Sequence, residues 1–177
     1  YASLPKADLV LVTHEHRDHL DTGAIEAIRK EGTLLCSSLK ASAPLSGAVV
    51  LKNGESREFL GIRVDAVPAY NRVHMRSGSE PYHPRGQGNG YVLHFGSTRI
   101  YIAGDTEDIP EMAALAGVDI AFLPMNLPYT MTPDMTAAAA RTLRPKKALY
   151  PYHYGDTDPQ RLVALLAGSG IEVRVRD

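Results

Sequence analysis

Three histidines and a carboxylate lie within six residues of this sequence, directly after a short apolar run. Residues 8–12 predict a buried strand, and His14, His16, Asp18 and His19 follow it in the pattern His-x-His-x-Asp-His. Because side chains alternate between the two faces of a strand, His14 and His16 point the same way as the chain leaves the sheet. Imidazole and carboxylate groups together suit zinc, manganese or iron. The pattern therefore predicts half of a metal centre, and we expect that centre to be binuclear.

Simpler interpretations of the same segment compete with this prediction. A single tetrahedral structural zinc usually takes cysteine among its four ligands, but Cys36 is the only cysteine in the chain. A polar loop with solvated histidines would not require so dense a group of ligand types. Asp18 also has an alternative role, in which it orients His16 and does not bind metal itself.

Composition limits the class of protein. A chain of 177 residues with 44% hydrophobic and 22% charged side chains can bury a sizeable core, and we expect a single domain over residues 1–177. The net charge of −1 disfavours nucleic acid and anionic membranes as partners. No apolar run approaches the roughly 18 residues of a membrane span. One cysteine allows no internal disulfide and fits the reducing cytoplasm, which is the expected location.

The hydrophobic pattern predicts strands early and strand–helix alternation late. Strands are expected at 33–36, 49–52, 55–60, 61–69, 90–95, 98–103, 119–123, 147–152 and 171–175. Helices are expected at 23–30, 110–115, 133–144 and 160–167. Asn53-Gly54 favours a type I′ hairpin between its flanking strands, and residues 70–89 form a long loop of the kind that often carries function. Two sheets with helices packed outside them, an α+β fold, follow from this order.

Three further potential ligands lie near strand ends. His83 precedes a glycine-rich entry into the strand at 90–95, Asp105 closes the strand at 98–103, and His153 follows the strand at 147–152. Taken alone, each could be a surface, turn or capping residue. An aspartate can, however, bridge two cations through its two oxygens. The order of these residues after the dense first motif makes them candidates for the rest of the metal centre.

Together these motifs resemble the metallo-β-lactamase-fold superfamily, and the resemblance covers nearly all of the chain. Local features resemble its ascorbate-6-phosphate-lactonase-like branch of metal-dependent hydrolases: Pro68-Ala69-Tyr70-Asn71, His83-Pro84-Arg85-Gly86, Gly88-Asn89-Gly90-Tyr91, Tyr101-Ile102-Ala103-Gly104-Asp105-Thr106 and Tyr129-Thr130-Met131. The resemblance implies an αββα metallo-β-lactamase-type sandwich with the metals at one edge between the sheets. Because that family has strands ahead of its first motif, we expect this chain to lack the first N-terminal strands of the sandwich.

The resemblance also implies two divalent metal ions, zinc or alternatively manganese, and distributes the ligands. It implies His14, His16 and His83 on one ion, Asp18, His19 and His153 on the other, and Asp105 between them. Many relatives carry histidine where Asn71 stands. His83 fits the strand-entry position better, so we predict His83 as the ligand and Asn71 behind it or in the substrate pocket.

Two cations roughly 3.5–4 Å apart can lower the pKa of a shared water from 15.7 towards about 7. The sequence therefore predicts hydrolysis by an activated hydroxide, with Asp18 and Asp105 as catalytic residues that orient it and move a proton. For substrate binding we predict Arg85, ahead of Arg72 and Arg76, because arginine suits anions. Asn71, Asn89 and Tyr129 are the other candidate pocket residues. Solvated loop arginines and packing tyrosines are the competing interpretations.

The leading function is thus a metal-dependent hydrolase acting on a small anionic ester, lactone or phosphoester. The alternatives are a phosphodiesterase or nuclease of the same superfamily, and a truncated non-catalytic metal-binding protein. A β-lactamase and a glyoxalase-type thioesterase are further candidate functions for the same fold. The resemblance allows a homo-oligomer, although no residue pattern marks an interface. A dinucleotide-binding fold is excluded because Gly86-x-Gly88-x-Gly90 precedes a strand and not a helix.

Overall fold

The computed structural model describes residues 1–176, and two β-sheets form the centre of this region. The smaller sheet has three parallel strands in the order β1 (Leu9–Val12), β2 (Leu34–Ser37) and β3 (Val49–Val50). Helix α1 (Thr22–Ile28) connects β1 to β2. The Asp21 carboxylate accepts a 3.0 Å hydrogen bond from the Ala24 amide and so caps the helix. The helix thus begins one residue before the predicted start at residue 23.

The larger sheet has six strands in the order β11, β10, β9, β8, β5 and β4. Their bounds are β4 (Ser56–Phe59), β5 (Ile62–Ala69), β8 (Gly88–Phe95), β9 (Thr98–Ile102), β10 (Ile120–Pro124) and β11 (Ala148–Tyr152). Strands β9, β10 and β11 are parallel, whereas β4, β5, β8 and β9 pair antiparallel. The predicted hairpin between residues 90 and 103 is confirmed by the pairing of β8 with β9.

Helices cover the outer face of this sheet. They are α2 (Pro133–Leu143), α3 (Gln160–Leu165) and a 3₁₀ helix at Pro110–Leu115, while a second 3₁₀ turn at Lys40–Ser42 follows β2. The Thr132 hydroxyl caps α2 by accepting a 3.1 Å hydrogen bond from the Met135 amide. Inside the predicted long loop, β6 (Met75–Ser77) and β7 (Glu80–Pro81) form a separate small hairpin.

Three buried apolar clusters separate four layers of secondary structure. One joins α1 to the small sheet and includes Val12, Ile25 and Leu35. A second cluster lies between the two sheets. The third lies beneath α2, α3 and the 3₁₀ helix at Pro110–Leu115. Since a sheet face or a helix stripe must bury its apolar side against another element, this arrangement is an αββα sandwich. The predicted α+β class is confirmed.

The hairpin predicted at Asn53-Gly54 is wrong. Strand β3 pairs in parallel with β2, and β4 pairs with β5, so Asn53 and Gly54 connect the two sheets. The two-residue turn between β4 and β5 is formed by Leu60 and Gly61, both with positive φ (53° and 76°). Asn53 instead donates from its side chain to Asn89 Oδ1 at 2.8 Å. Tertiary pairing thus outweighs the local preference of Asn-Gly for a tight turn.

The final strand predicted at residues 171–175 is also wrong as a strand. Only one bridge forms there, between Leu149 and Val173. The Glu172 carbonyl and the Arg174 amide hydrogen-bond to Leu149, which already pairs with β10 on its other side. A segment held at one point does not form a ladder. Among residues 1–176, no helix has the length and apolar character needed to cross a bilayer.

The fully buried Cys36 thiol allows a test of the inter-sheet core. Burial raises its pKa to about 11, although a hydrogen bond with Tyr91 lowers it in part. At pH 8 the thiol therefore stays protonated, and the thiolate is the reactive form. We expect the folded protein to resist a disulfide reagent at pH 8 and to react once per chain in denaturant. Rapid modification without denaturant would contradict the packing of the two sheets around Cys36.

Candidate metal centre

The strand ends of the larger sheet bring the predicted ligands to one edge. Since β9, β10 and β11 are parallel, the residues that follow them, including Asp105 and His153, emerge at the same side. Strand β8 runs antiparallel to β9, so its entry, and with it His83, also lies at this edge. Carboxyl ends of parallel strands are a common place for ligand sites in open sheets.

The small sheet meets this edge through the end of β1. The backbone amide of Asn89 donates to the Thr13 carbonyl at 2.9 Å, and the Tyr91 hydroxyl donates to the Val12 carbonyl at 2.9 Å. Gly104 lies where the sheets touch, with φ of 66°, and a Cβ there would be 2.7 Å from the Asn89 carbonyl oxygen. Only glycine combines this left-handed backbone with so close an approach. The motif after β1 is thereby held against Asp105.

The first group of potential ligands consists of three imidazoles and one carboxylate oxygen. His16 Nδ1 lies 3.2 Å from His14 Nε2 and 3.2 Å from His83 Nε2. Asp105 Oδ2 lies 3.8 Å from His14 Nε2 and 3.3 Å from His83 Nε2. The ligand atoms of the three histidines all lie within 4.8 Å of one another.

The second group uses the other oxygen of the same aspartate. His19 Nε2 lies 3.3 Å from Asp105 Oδ1 and 3.5 Å from Asp18 Oδ2. His153 Nε2 lies 2.9 Å from Asp18 Oδ2, although the two residues are 135 positions apart in sequence. Asp105 therefore faces both groups, one with each oxygen.

Both groups fit a divalent cation. A tetrahedral zinc with nitrogen ligands at about 2.0–2.1 Å keeps the ligand atoms about 3.3 Å apart, close to the spacings found here. Among residues 1–176, the buried atoms His19 Nε2 and Asp105 Oδ1 have no hydrogen-bond partner. Unsatisfied buried polar atoms are rare and require an explanation such as an ion. Imidazole-rich ligand sets suit zinc in particular.

Electrostatics keep His14 and Asp105 in their metal-binding protonation states. Burial, reinforced by the neighbouring imidazoles, lowers the pKa of His14 to about 3 despite the charge of Asp105. Burial would raise the pKa of Asp105, but the close contacts with His19 and His83 and the charges of His19 and His14 hold it far below the usual range. Burial lowers the pKa of His19, yet the contact with Asp105 and the charges of Asp105 and Asp18 raise it overall, which favours the protonated imidazole. Near neutral pH His14 is thus a free electron-pair donor and Asp105 a carboxylate.

A cleft of about 480 Å³ opens above these groups. Asp18 lines it with a side chain that is 59% exposed, whereas the Asp105 side chain is 3% exposed. The wall is formed by residues from three separate segments: Arg17, Arg76, Tyr82, Asn126 and Tyr129. The Tyr129 and Tyr82 rings meet edge to face, with centroids 5.0 Å apart.

The structure does not bring three of the four predicted substrate-binding residues into this cleft. Arg85 is 71% exposed, pairs with Glu111 at 2.6 Å and stacks over Tyr70. The Asn89 side chain is buried and donates to the Leu51 carbonyl at 2.8 Å, so it joins the sheets. Asn71 is buried behind His83, where its Oδ1 accepts from His83 Nδ1 at 2.6 Å. Of the four predicted pocket residues, only Tyr129 forms part of the cleft wall.

Sequence reasoning did not single out Arg17 or Tyr82 and ranked Arg76 below Arg85, whereas it assigned substrate selection in part to residues 125–130, which include Asn126. Asn126 follows β10 at the ligand-bearing edge and lies 3.1 Å from His153 Nδ1. Its position after a parallel strand agrees with that assignment. Arg76 lies on the β6–β7 hairpin. Burial and the charge of His83 are the main causes that lower the pKa of His16, and the charge of Arg76 lowers it further. Its location depends on how the hairpin folds back, which no local pattern indicates.

Comparison with known proteins agrees with the fold and the motifs. Residues 1–153 match the family model described as the beta-lactamase superfamily domain. A UPF0173 metal-dependent hydrolase of Thermus thermophilus is 35% identical over 162 residues, covering 88% of this chain and 69% of that protein.

Two solved structures extend the comparison. One, a Parabacteroides distasonis protein described as a metal-dependent hydrolase, superposes with a TM-score of 0.93 at 51% identity, covering 99% of this chain and 79% of that one. A metallo-β-lactamase-fold protein of Bacillus subtilis gives a TM-score of 0.73 at 12% identity, covering 96% of this chain and 74% of that one, and supports the fold alone.

The αββα sandwich with ligand types at its open edge thus defines a protein of the metallo-β-lactamase fold. The chain belongs to the metallo-β-lactamase superfamily and, within it, to the family of UPF0173 metal-dependent hydrolases.

Proposed function

We propose that this protein hydrolyses a small anionic ester, lactone or phosphoester with two divalent metal ions, zinc by preference. The proposal rests above all on Asp105, whose two oxygens face two separate groups of potential ligands. His14, His16 and His83 would hold one ion, and Asp18, His19 and His153 the other. The relatives named metal-dependent hydrolases support the same reaction class.

When bound, two such ions would lower the pKa of a water towards about 7 and stabilise negative charge on the substrate. The residues of the chain divide the remaining work by their exposure. Asp105 is enclosed and anionic, so we assign it the role of holding the two ligand groups at a fixed distance from each other. Asp18 is open to the cleft, and we assign it the transfer of a proton from the attacking water to the leaving group.

Asp18 is prepared for this transfer by its neighbours. Burial works against ionisation of the carboxyl, but the hydrogen bond from His153 and the charge of His19 lower its pKa overall. The group is therefore ionised at neutral pH and can accept a proton. The carboxylate lies 2.9 Å from His153 Nε2 at the cleft, so one cation could bind both groups.

We assign anion recognition to two arginines of the cleft wall. Arg76 and Arg17 line the same cavity as Asp18 and His16. A guanidinium can bind a carboxylate or phosphate with two parallel hydrogen bonds. The Tyr82 and Tyr129 rings form an apolar wall beside them. We infer a substrate that carries an anionic group separate from the bond that is cleaved.

The first experiment is elemental analysis of protein purified without added metal. We expect about two zinc ions per chain, loss of hydrolysis after chelation, and recovery after zinc is restored. A panel of a phosphodiester, a phosphorylated lactone and p-nitrophenyl esters then separates the substrate classes. No metal in the purified protein and none after reconstitution would refute the hydrolase proposal. Selective cleavage of the phosphodiester would favour the phosphodiesterase alternative over a lactonase or esterase.

A further inference from the structure

Glu107 is a completely buried carboxylate that the proposed reaction does not use. It lies two residues after Asp105, and every described contact of its side chain is a hydrogen bond that it accepts. The donors are Asn71 Nδ2 at 3.0 Å and, each at 2.7 Å, the amides of Arg72, Val73 and His74 and the His74 ring Nδ1. Burying a carboxylate is costly unless it is fully hydrogen-bonded. Five donors around one side chain therefore indicate a specific role.

The contacts of Asn71 determine the orientation of its amide. Its Nδ2 donates to Glu107 Oε1 at 3.0 Å and to the Tyr129 carbonyl at 2.9 Å, and both of these atoms can only accept. Its Oδ1 accepts from the His83 backbone amide at 2.9 Å. Rotating the amide by 180° would place N–H against N–H and oxygen against oxygen. The chemistry of the partners therefore excludes the flipped amide.

The orientation of Asn71 in turn fixes the tautomer of His83. The Asn71 oxygen lies 2.6 Å from His83 Nδ1 and cannot donate, so Nδ1 carries the hydrogen. His83 Nε2 is then left with its electron pair, directed towards His16 Nδ1 and Asp105 Oδ2 at 3.2 and 3.3 Å. This is the form of imidazole that can bind a metal. The hydrogen bond also fixes the plane of the ring.

We propose that Glu107 and Asn71 form a positioning relay that fixes the ring and tautomer of His83, and that Glu107 also anchors the hairpin carrying Arg76. The relay runs from Glu107 Oε1 through the Asn71 amide to His83 Nδ1. The anchor consists of the backbone amides of residues 72–74, which lead directly into β6. The relay deepens the proposed function, on which its metal-binding consequence rests.

Two variants separate the two parts of this proposal. Asn71→Ala removes the relay and leaves the amides of residues 72–74 bound to Glu107. Glu107→Gln keeps the size of the side chain, but its NH₂ must face N–H donors. In place of Oε1 it opposes Asn71 Nδ2 and the His74 amide, and in place of Oε2 it opposes the Arg72 and Val73 amides. The anchor is therefore disturbed in either orientation, and the relay only in the first. We expect Asn71→Ala to weaken binding of one zinc ion by about 10- to 100-fold, and Glu107→Gln to weaken it by no more than that. Only Glu107→Gln should also raise KM for anionic esters.

Asn126→Ala is the matched control, because Asn126 also contacts the Nδ1 of a candidate ligand, His153, but does so with its donating Nδ2 and not with its oxygen. The direct readout is long-range ¹H–¹⁵N NMR of the imidazoles in metal-free protein, which distinguishes the Nδ1–H from the Nε2–H tautomer. Asn71→Ala should convert His83 from a single Nδ1–H form to a mixture, and Asn126→Ala should change only His153. Chelator competition then measures the affinity of each ion.

The outcomes distinguish failure of the relay from failure of the proposed function. An unchanged His83 tautomer in both folded variants, in a wild type that binds two zinc ions, would overturn the relay. A wild type that binds no zinc would instead refute the proposed function, while the tautomer measurement would still test the relay. If Asn71→Ala does not fold, the near-isosteric Asn71→Leu, which can neither donate to Glu107 nor accept from His83, decides the question by the same spectra.

Discussion

We expect Asp105→Asn to abolish binding of at least one of the two metal ions and to reduce hydrolysis by more than 100-fold. Asp105 offers one oxygen to each ligand group and contributes a negative charge that both groups share. An asparagine keeps the shape but removes that charge and places an NH₂ against imidazole nitrogens that must present electron pairs. Loss of residues that support metal ligands from outside already costs about 10- to 100-fold, so loss of a shared ligand should cost more.

The measurements are zinc per chain by elemental analysis and hydrolysis of bis(p-nitrophenyl) phosphate or the best probe of the panel. Asp65→Asn is the matched control, because Asp65 is also a partly buried carboxylate that pairs with a histidine, His94, at 2.7 Å. It lies on β5 outside the cleft. We expect Asp65→Asn to keep both ions. Full zinc content and full activity in Asp105→Asn would rule out a binuclear centre of this design.

The second large effect is expected at Arg76. We expect Arg76→Ala to raise KM about 10- to 100-fold for p-nitrophenyl succinate, an ester that carries a carboxylate. The neutral p-nitrophenyl butyrate should be affected little. A hydrogen bond to a charged group contributes about 1.5–3 kcal/mol, which corresponds to this range of affinity. Because Arg76 lies on the cleft wall and not among the metal ligands, kcat should change less than KM.

Arg85→Ala is the comparison variant. Arg85 pairs with Glu111 and stacks on Tyr70 away from the cleft, so its removal should leave KM for both esters within about twofold. Should Arg85→Ala, rather than Arg76→Ala, selectively raise KM for the succinate ester, the prediction made from sequence would be right and the assignment from structure wrong.

The elements that sequence predicted well are those held by local interactions. The start of α1 depends on a capping carboxylate three residues from the amide that it accepts, and β8 and β9 are joined by the two-residue connection Gly96-Ser97. His14, His16, Asp18 and His19 lie so close in sequence that they must lie close in space. Periodicity, capping and spacing are all visible within a few residues, which is why these features are readable without a structure.

Features that depend on distant partners were predicted poorly. Asn53-Gly54 has a strong local preference for a hairpin, yet its flanking strands pair with β2 and β5 in different sheets. The segment at 171–175 has a strand-like pattern but meets β11 at a single residue pair. Local preference is worth less than the burial and hydrogen bonds that tertiary pairing provides.

By itself, the sequence determined the superfamily, the α+β class, and the order in which potential metal ligands follow strand ends, since these depend on residue type and spacing. Only the tertiary structure decided which side chains share the cleft. The hairpin carrying Arg76 is fixed by amides that bind Glu107 more than 30 residues later, and the same carboxylate orients Asn71 behind His83. Such contacts join groups far apart in the chain, and a single sequence does not record which of many possible partners a polar side chain meets.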